Sequence, residues 1–180
     1  MAELIVILLA GAAVVAGLAA LRHRQLNTRS RPNGPDFRTL VLSRSLPGSG
    51  GASTPAPSAA AMDWNVGGGV STLVAFSDGT VSLYYSGDGG IIGAGTHEQI
   101  RAPGMRFHAL LSQLAERLVP TTQYPLPPNA KVTFWLACAD ATLASDHFAP
   151  EELADTAHPF HAVHAHAQAT ITALREHQNR

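Results

Sequence analysis

The sequence predicts an α+β fold: an antiparallel sheet of about five strands with two helices on one face, in the order β-β-β-α-β-β-α. A single transmembrane helix and a flexible linker precede it. Three observations predict this layout. Asp78-Gly79 sits between two β-branched and aromatic runs, the strongest short-range signal for a hairpin. Ile100, Phe107, Leu111, Leu114 and Leu118 recur on one helical face. Leu4 to Leu21 carries no charged or strongly polar side chain.

That first run is eighteen residues long, and at ~1.5 Å per residue it spans about 27 Å, the hydrocarbon thickness of a bilayer. A cleaved secretory signal is the rival. Such signals begin with a basic region and have a shorter apolar core, whereas here Met-Ala-Glu comes first and the basic residues follow. Arg22, Arg24, Arg29 and Arg31 on the C-terminal flank place the N-terminus outside and the domain on the cytoplasmic face of the membrane, because positive flanks stay inside. The partner implied by Leu4–Leu21 is therefore the membrane. Ala12/Ala16 and Ala13/Gly17 have the small-xxx-small spacing of packed helices, an inexpensive match in an Ala-rich run.

Residues 22–61 form a basic juxtamembrane segment and a linker rich in Pro, Gly and Ser, with Pro47-Gly-Ser-Gly-Gly51 at its centre. The composition is that of a flexible chain with too little apolar surface to fold alone. Phe37-Arg-Thr-Leu-Val-Leu42 interrupts it. This island reads as an edge strand or a groove-docking segment, or as an unstructured patch; its polar flanks favour the patch.

The domain proper is assigned to 62–180. Val70 to Phe76 and Val81 to Tyr85 are strands joined by a type I′ turn at Asp78-Gly79, and Ser86-Gly-Asp-Gly-Gly90 leads to a short third run at Ile91-Ile92. Thr96 and Gln99 have capping-box spacing and open the long helix. Its apolar phase survives Pro103-Gly104, so one kinked helix is preferred over a new helix with Pro103 at its first position. Pro120 stops it. The prolines from Thr121 to Asn129 mark an extended connector. Lys131 to Cys138 is a strand, Ala141 to Ser145 a weaker one, and Pro150-Glu-Glu-Leu a single helical turn. Pro159 opens a last helix with the stripe Phe160, Val163, Ala167, Ile171 and Leu174. In element order the domain is similar to profilin-like and roadblock-like domains, and no motif names a family.

Charge excludes one class of partner. The whole chain sums to −1, but from Met62 onward six basic residues face eleven acidic ones, so the domain carries about −5 and repels a phosphate backbone. No nucleic-acid partner is expected. The lone Cys138 excludes an intrachain disulfide and any multi-Cys zinc site.

Chemistry-bearing residues do not converge in the sequence. Six of the nine histidines lie in the last 34 residues, yet there is no His-x3-His or His-Glu-x-x-His. Only His161 and His164 could share an ion, and weakly. A polar helix face explains the cluster, and no metal or cofactor is assigned. The glycines from Gly87 to Gly95 precede a helix N-terminus but lack the lysine of a phosphate loop, so tight turns and close backbone approach account for them. Cys138 falls on the apolar face of its strand, where a small buried hydrophobe is usual.

These features favour a membrane-anchored binding or scaffolding module acting through protein–protein contact, with homodimerisation as one form of it. Trp135, Thr133, Tyr84 and Ser82 fall on the strand face turned away from the helices and are the interface candidates. They could instead be covered by the linker or the Phe37–Leu42 island. The alternative is a small-molecule-binding or hydrolytic enzyme using His97 or His108.

Overall fold

Two adjacent glycines set the central hairpin. Gly67 and Gly68 take φ of 60° and 81°, the pair of left-handed residues that a two-residue type I′ turn requires, and they close β1 (Ala59–Val66) onto β2 (Gly69–Phe76). The turn at Asp78-Gly79 is of another kind. Only Gly79 has positive φ (88°). The Asp78 carboxylate accepts from the Thr80 amide at 2.8 Å and the Phe76 amide donates to the Thr80 carbonyl at 2.9 Å, giving a three-residue loop with a bulge instead of the expected type I′ turn. It leads into β3 (Val81–Tyr85) and the two-residue β4 (Gly90–Ile91).

The chain is seen here in a computed structural model that describes residues 37–43, 56–86 and 89–179. The transmembrane helix expected over 4–21, its flanking arginines and the glycine-rich centre of the linker lie outside the described residues. Among the described residues no helix is long and apolar enough to cross a membrane.

Among the described residues the fold is α+β, with one antiparallel sheet of seven strands in the order β4-β3-β2-β1-β6-β7-β5, where β5 is Val119–Thr121, β6 Val132–Ala137 and β7 Thr142–Ala144. This exceeds the expected five, and two strands account for the difference. One is β1, whose Ala-Ala-Ala start resembles linker and which begins at Ala59, ahead of Met62. The other is β5 (Val119–Thr121), an edge strand that tolerates Pro120 because a proline needs no ladder partner on an outer edge. β6 (Val132–Ala137) and β7 (Thr142–Ala144) complete the sheet.

The helix face is built from alternate residues: Val81 and Leu83, Met62, Phe134 and Leu136, with Ile100, Phe107, Leu111, Val163 and Leu174 supplied from above, all buried. The long helix α2 runs unbroken from Glu98 to Gln113 with Pro103 inside it, as one helix and not two. Its start differs from the capping-box expectation. Ala94–Thr96 forms a 3-10 turn and His97 occupies the N-cap without a side-chain hydrogen bond. Leu114 and Leu118 lie beyond its end, the latter still buried.

Gly104 faces inward from α2, and a Cβ there would come 2.6 Å from Val81 Cγ2, so glycine is what lets α2 lie this close to β3. The short α3 (Pro150–Ala154) has Pro150 at its first position, and the Glu152 carboxylate accepts from the Ala149 amide. The last helix, α4 (His161–Gln178), packs against α2. Phe134 of β6 stacks on Phe160 at its N-terminus, with centroids 5.4 Å apart.

The opposite face is also covered. The Phe37–Leu42 island, whose polar flanks favour an unstructured patch over an edge strand or a groove-docking segment, is a docked helix, α1 (Phe37–Ser43), with Arg38, Val41 and Leu42 buried. It lies on a floor of small residues, Ala59, Ala61 and Ala137, bounded by Val74 and Trp135. Alanine at these strand positions leaves room for a helix backbone to approach, which is why β1 has so little β-propensity of its own.

Candidate functional site

A charged residue in the middle of a buried strand has to be matched, and Asp63 on β1 is fully buried. Its Oδ1 accepts from Thr72 Oγ1 at 2.6 Å on the neighbouring β2. Its Oδ2 accepts from Trp135 Nε1 at 2.7 Å on β6 and from the guanidinium of Arg38 on α1, through Nε at 2.8 Å and an ion-pair contact of 2.7 Å. Antiparallel register aligns the sheet partners: Asp63 lies opposite Thr72 on one side and Thr133 on the other.

The rest of the guanidinium is met by main chain. Arg38 donates to the Tyr124 carbonyl at 2.8 Å and the Pro125 carbonyl at 3.0 Å, and it stands 5.3 Å over the Trp135 ring. The connector carrying those carbonyls is tied to the sheet, since Asn65 Nδ2 donates to the Pro127 carbonyl at 2.8 Å and Tyr124 sits edge-on to Trp135. Proline-rich backbone has few amides of its own, so its carbonyls are free to accept from a side chain. The two ends of α1 are held as well. Phe37 stacks on Tyr84 with centroids 4.4 Å apart, and Thr142 Oγ1 donates to the Leu42 carbonyl at 2.7 Å, meeting one of the acceptors every helix C-terminus leaves open.

The interface candidates therefore share one sheet face, but that face is not open. Trp135 and Thr133 are each 1% exposed and Ser82 is equally buried. Trp135 and Tyr84 lie against α1, the Thr133 hydroxyl meets His147 Nδ1 at 2.6 Å, and Ser82 Oγ accepts from the Gly93 amide at 3.2 Å. Of the two expectations for this face, an open surface or one covered by the Phe37–Leu42 island, the second describes Trp135 and Tyr84, which pack against that segment of the same chain. Alternation in the strands places these residues on one face, as the register shows, and it carries no information on what covers it.

The histidines are dispersed. His161 Nδ1 contacts the Leu153 carbonyl at 2.9 Å, and His164 Nε2 is engaged by Gln168 Nε2 at 3.1 Å. Burial, with repulsion from His161 second, lowers His164 to a pKa of about 4. Among the described residues no group of three or more His, Cys, Asp or Glu is arranged to hold a metal ion. His108 contacts the Pro57 carbonyl at 3.1 Å, and burial lowers its pKa. His97 lies against His177 at the far end of α4, with centroids 3.9 Å apart and the rings tilted by 41°. Among the described residues neither the His97 ring nor the His108 ring hydrogen-bonds a Ser, Thr or Cys side chain. Cys138 is buried, and burial followed by the charge of Asp140 raises its thiol pKa.

The residues that do converge, Asp63 and Arg38, lie 25 positions apart and belong to no motif. Their signal is local: each is a lone charge inside an apolar run, Ala-Ala-Ala-Met-Asp-Trp and Phe-Arg-Thr-Leu-Val-Leu, and such charges are paired when the run is buried. No family model matches the chain, and no characterised protein or solved structure is similar enough to carry an argument.

Proposed function

We propose that the chain is a membrane-tethered binding module that works by protein–protein contact across the sheet face occupied by α1. The observation that carries this reading is the mode in which α1 is held: a two-turn helix laid in a groove, with an arginine anchor and apolar residues on one side, as recognition helices are held by their receptors. The tether is the apolar run 4–21, and the arginines behind it orient the domain to the cytoplasmic side.

Site-specific photo-cross-linking from position 84, at the edge of the groove, tests the reading in intact cells. The expected product is a discrete adduct between the chain and one protein partner, in the membrane fraction. Cross-links confined to the chain's own α1 under every growth condition, or a chain recovered wholly in the soluble fraction, would refute it.

A further inference from the structure

We infer that the Asp63-centred face is a receptor for an arginine-anchored apolar helix supplied by a partner protein, and that α1 occupies it as an exchangeable ligand in cis. This rests on the reading of the chain as a protein-binding module and gives the partner a chemistry. Among the described residues, the groups that meet α1 come from other parts of the fold: the Asp63 carboxylate from β1, the Tyr124 and Pro125 carbonyls from the connector, the Trp135 ring from β6 and the Thr142 hydroxyl from β7. With α1 removed, Asp63 keeps Thr72 Oγ1 and Trp135 Nε1 as donors, and Asn65 still ties down the connector.

What is left is a fixed anion, two fixed carbonyls and an aromatic face, the complement of a planar guanidinium and a poor match for the point charge of a lysine. The occupant contributes little rigidity of its own. At seven residues, α1 is far below the length at which a helix persists unaided in water, so its helicity depends on being docked. Thirteen residues, 44–56, separate it in sequence from Pro57 and Ser58, which are hydrogen-bonded to the domain, long enough for the segment to leave without disturbing the strand. The negative charge of the domain further favours a basic ligand.

The test titrates a fluorescein-labelled peptide with the sequence of residues 34–46 against the full-length chain in detergent micelles, read by fluorescence anisotropy. Wild-type protein binds weakly because α1 competes in cis. Arg38→Ala removes the anchor of the competitor, and the peptide then binds at least tenfold tighter. Asp63→Asn in that background returns binding to the wild-type level or below, and a peptide bearing lysine at the position of Arg38, with Arg44 kept, binds about tenfold more weakly. Should Arg38→Ala not fold, the double variant Phe37→Ala/Val41→Ser loosens α1 while leaving the ion pair intact, and the same tightening is expected.

A folded variant that takes up no peptide, or binding indifferent to Asp63→Asn, overturns the inference. A concentration-dependent dimer dissolved by the peptide assigns the groove to a second copy and overturns the heterologous partner. Peptide binding as described, with no protein cross-linked in cells, keeps the receptor and removes the protein-binding reading. A cross-linked partner captured equally by Asp63→Asn keeps that reading and removes the receptor.

Discussion

Leu42 is 2% exposed, and truncating it to alanine has two different costs depending on whether α1 is able to leave its groove. In the wild-type chain the substitution opens a gap between α1 and the alanine floor of β1 and β6, and buried Leu→Ala changes of this kind cost about 2–5 kcal/mol. The two-sided exposure of so short a helix puts Leu42→Ala at the lower end, ~2–3 kcal/mol. Arg38→Ala acts on the same segment by another route. If the Asp63 carboxylate stayed dry, losing its guanidinium would cost about 3–5 kcal/mol; release of α1 lets water reach Asp63 and caps the loss at the free energy of docking. Once that cap is reached, contacts made by α1 no longer contribute. Leu42→Ala is therefore expected to cost less than about 0.5 kcal/mol in the Arg38→Ala background. Urea denaturation followed by tryptophan fluorescence measures both, and the released helix should also reduce the denaturant slope, since less surface is then exposed on unfolding. Equal costs of Leu42→Ala in the two backgrounds, within about 0.5 kcal/mol, would refute the reasoning and make α1 an integral part of the core.

Further expectations follow from single sites. Gly104→Ala gains helix propensity of up to ~1 kcal/mol but drives a methyl against Val81, so a net loss of about 1–2 kcal/mol is expected, with Val81→Ala recovering it as a favourable coupling in a double-mutant cycle. His164 is neutral in the fold down to a pKa of about 4 but titrates near 6.5 when unfolded. The unfolded chain thus binds the extra proton between those values, and stability is lost on acidification from pH ~6.5 to ~4, by up to roughly 3 kcal/mol. His164→Gln should flatten that slope in a thermal-shift series, leaving the smaller contributions of the same sign from His108 and His166. Cys138, buried and raised in pKa, should react with a thiol reagent at pH 8 on the order of a hundredfold more slowly than an exposed cysteine until the chain is unfolded. Ala130 holds φ at 58°, so Ala130→Gly is expected to stabilise by up to about 1 kcal/mol in the same assay, relieving left-handed strain.

The α+β class, the two long helices and five of the seven described strands are legible in the sequence because each has a recognisable period or a chemical stop. Val70–Phe76 and Lys131–Cys138 are rich in β-branched and aromatic residues, and Ile100, Phe107 and Leu111 keep helical phase through Pro103. What is illegible is set by tertiary context. The first three residues of β1 are alanines, weak strand formers that are favoured here only because a helix must lie against them. Pro120 is a legitimate edge residue, but an edge exists only once the sheet order is known. α1 is seven residues with one charged side chain facing inward, and its structure depends on Asp63, a residue far along the chain. The site shares that cause. Trp135, Thr133 and Tyr84 were assignable to one face from alternation, whereas the identity of the covering segment depends on the pairing of two lone charges, which no local pattern contains.

Hydrogen exchange resolved along the chain tests the central claim most directly, that α1 detaches from an otherwise intact sheet. The amides of residues 39–43 should exchange through a local opening well below the global unfolding free energy. In Arg38→Ala they should lose protection entirely, while β1, β2 and β6 keep theirs. Loss of protection in α1 and β1 together, at one common free energy, would contradict the account.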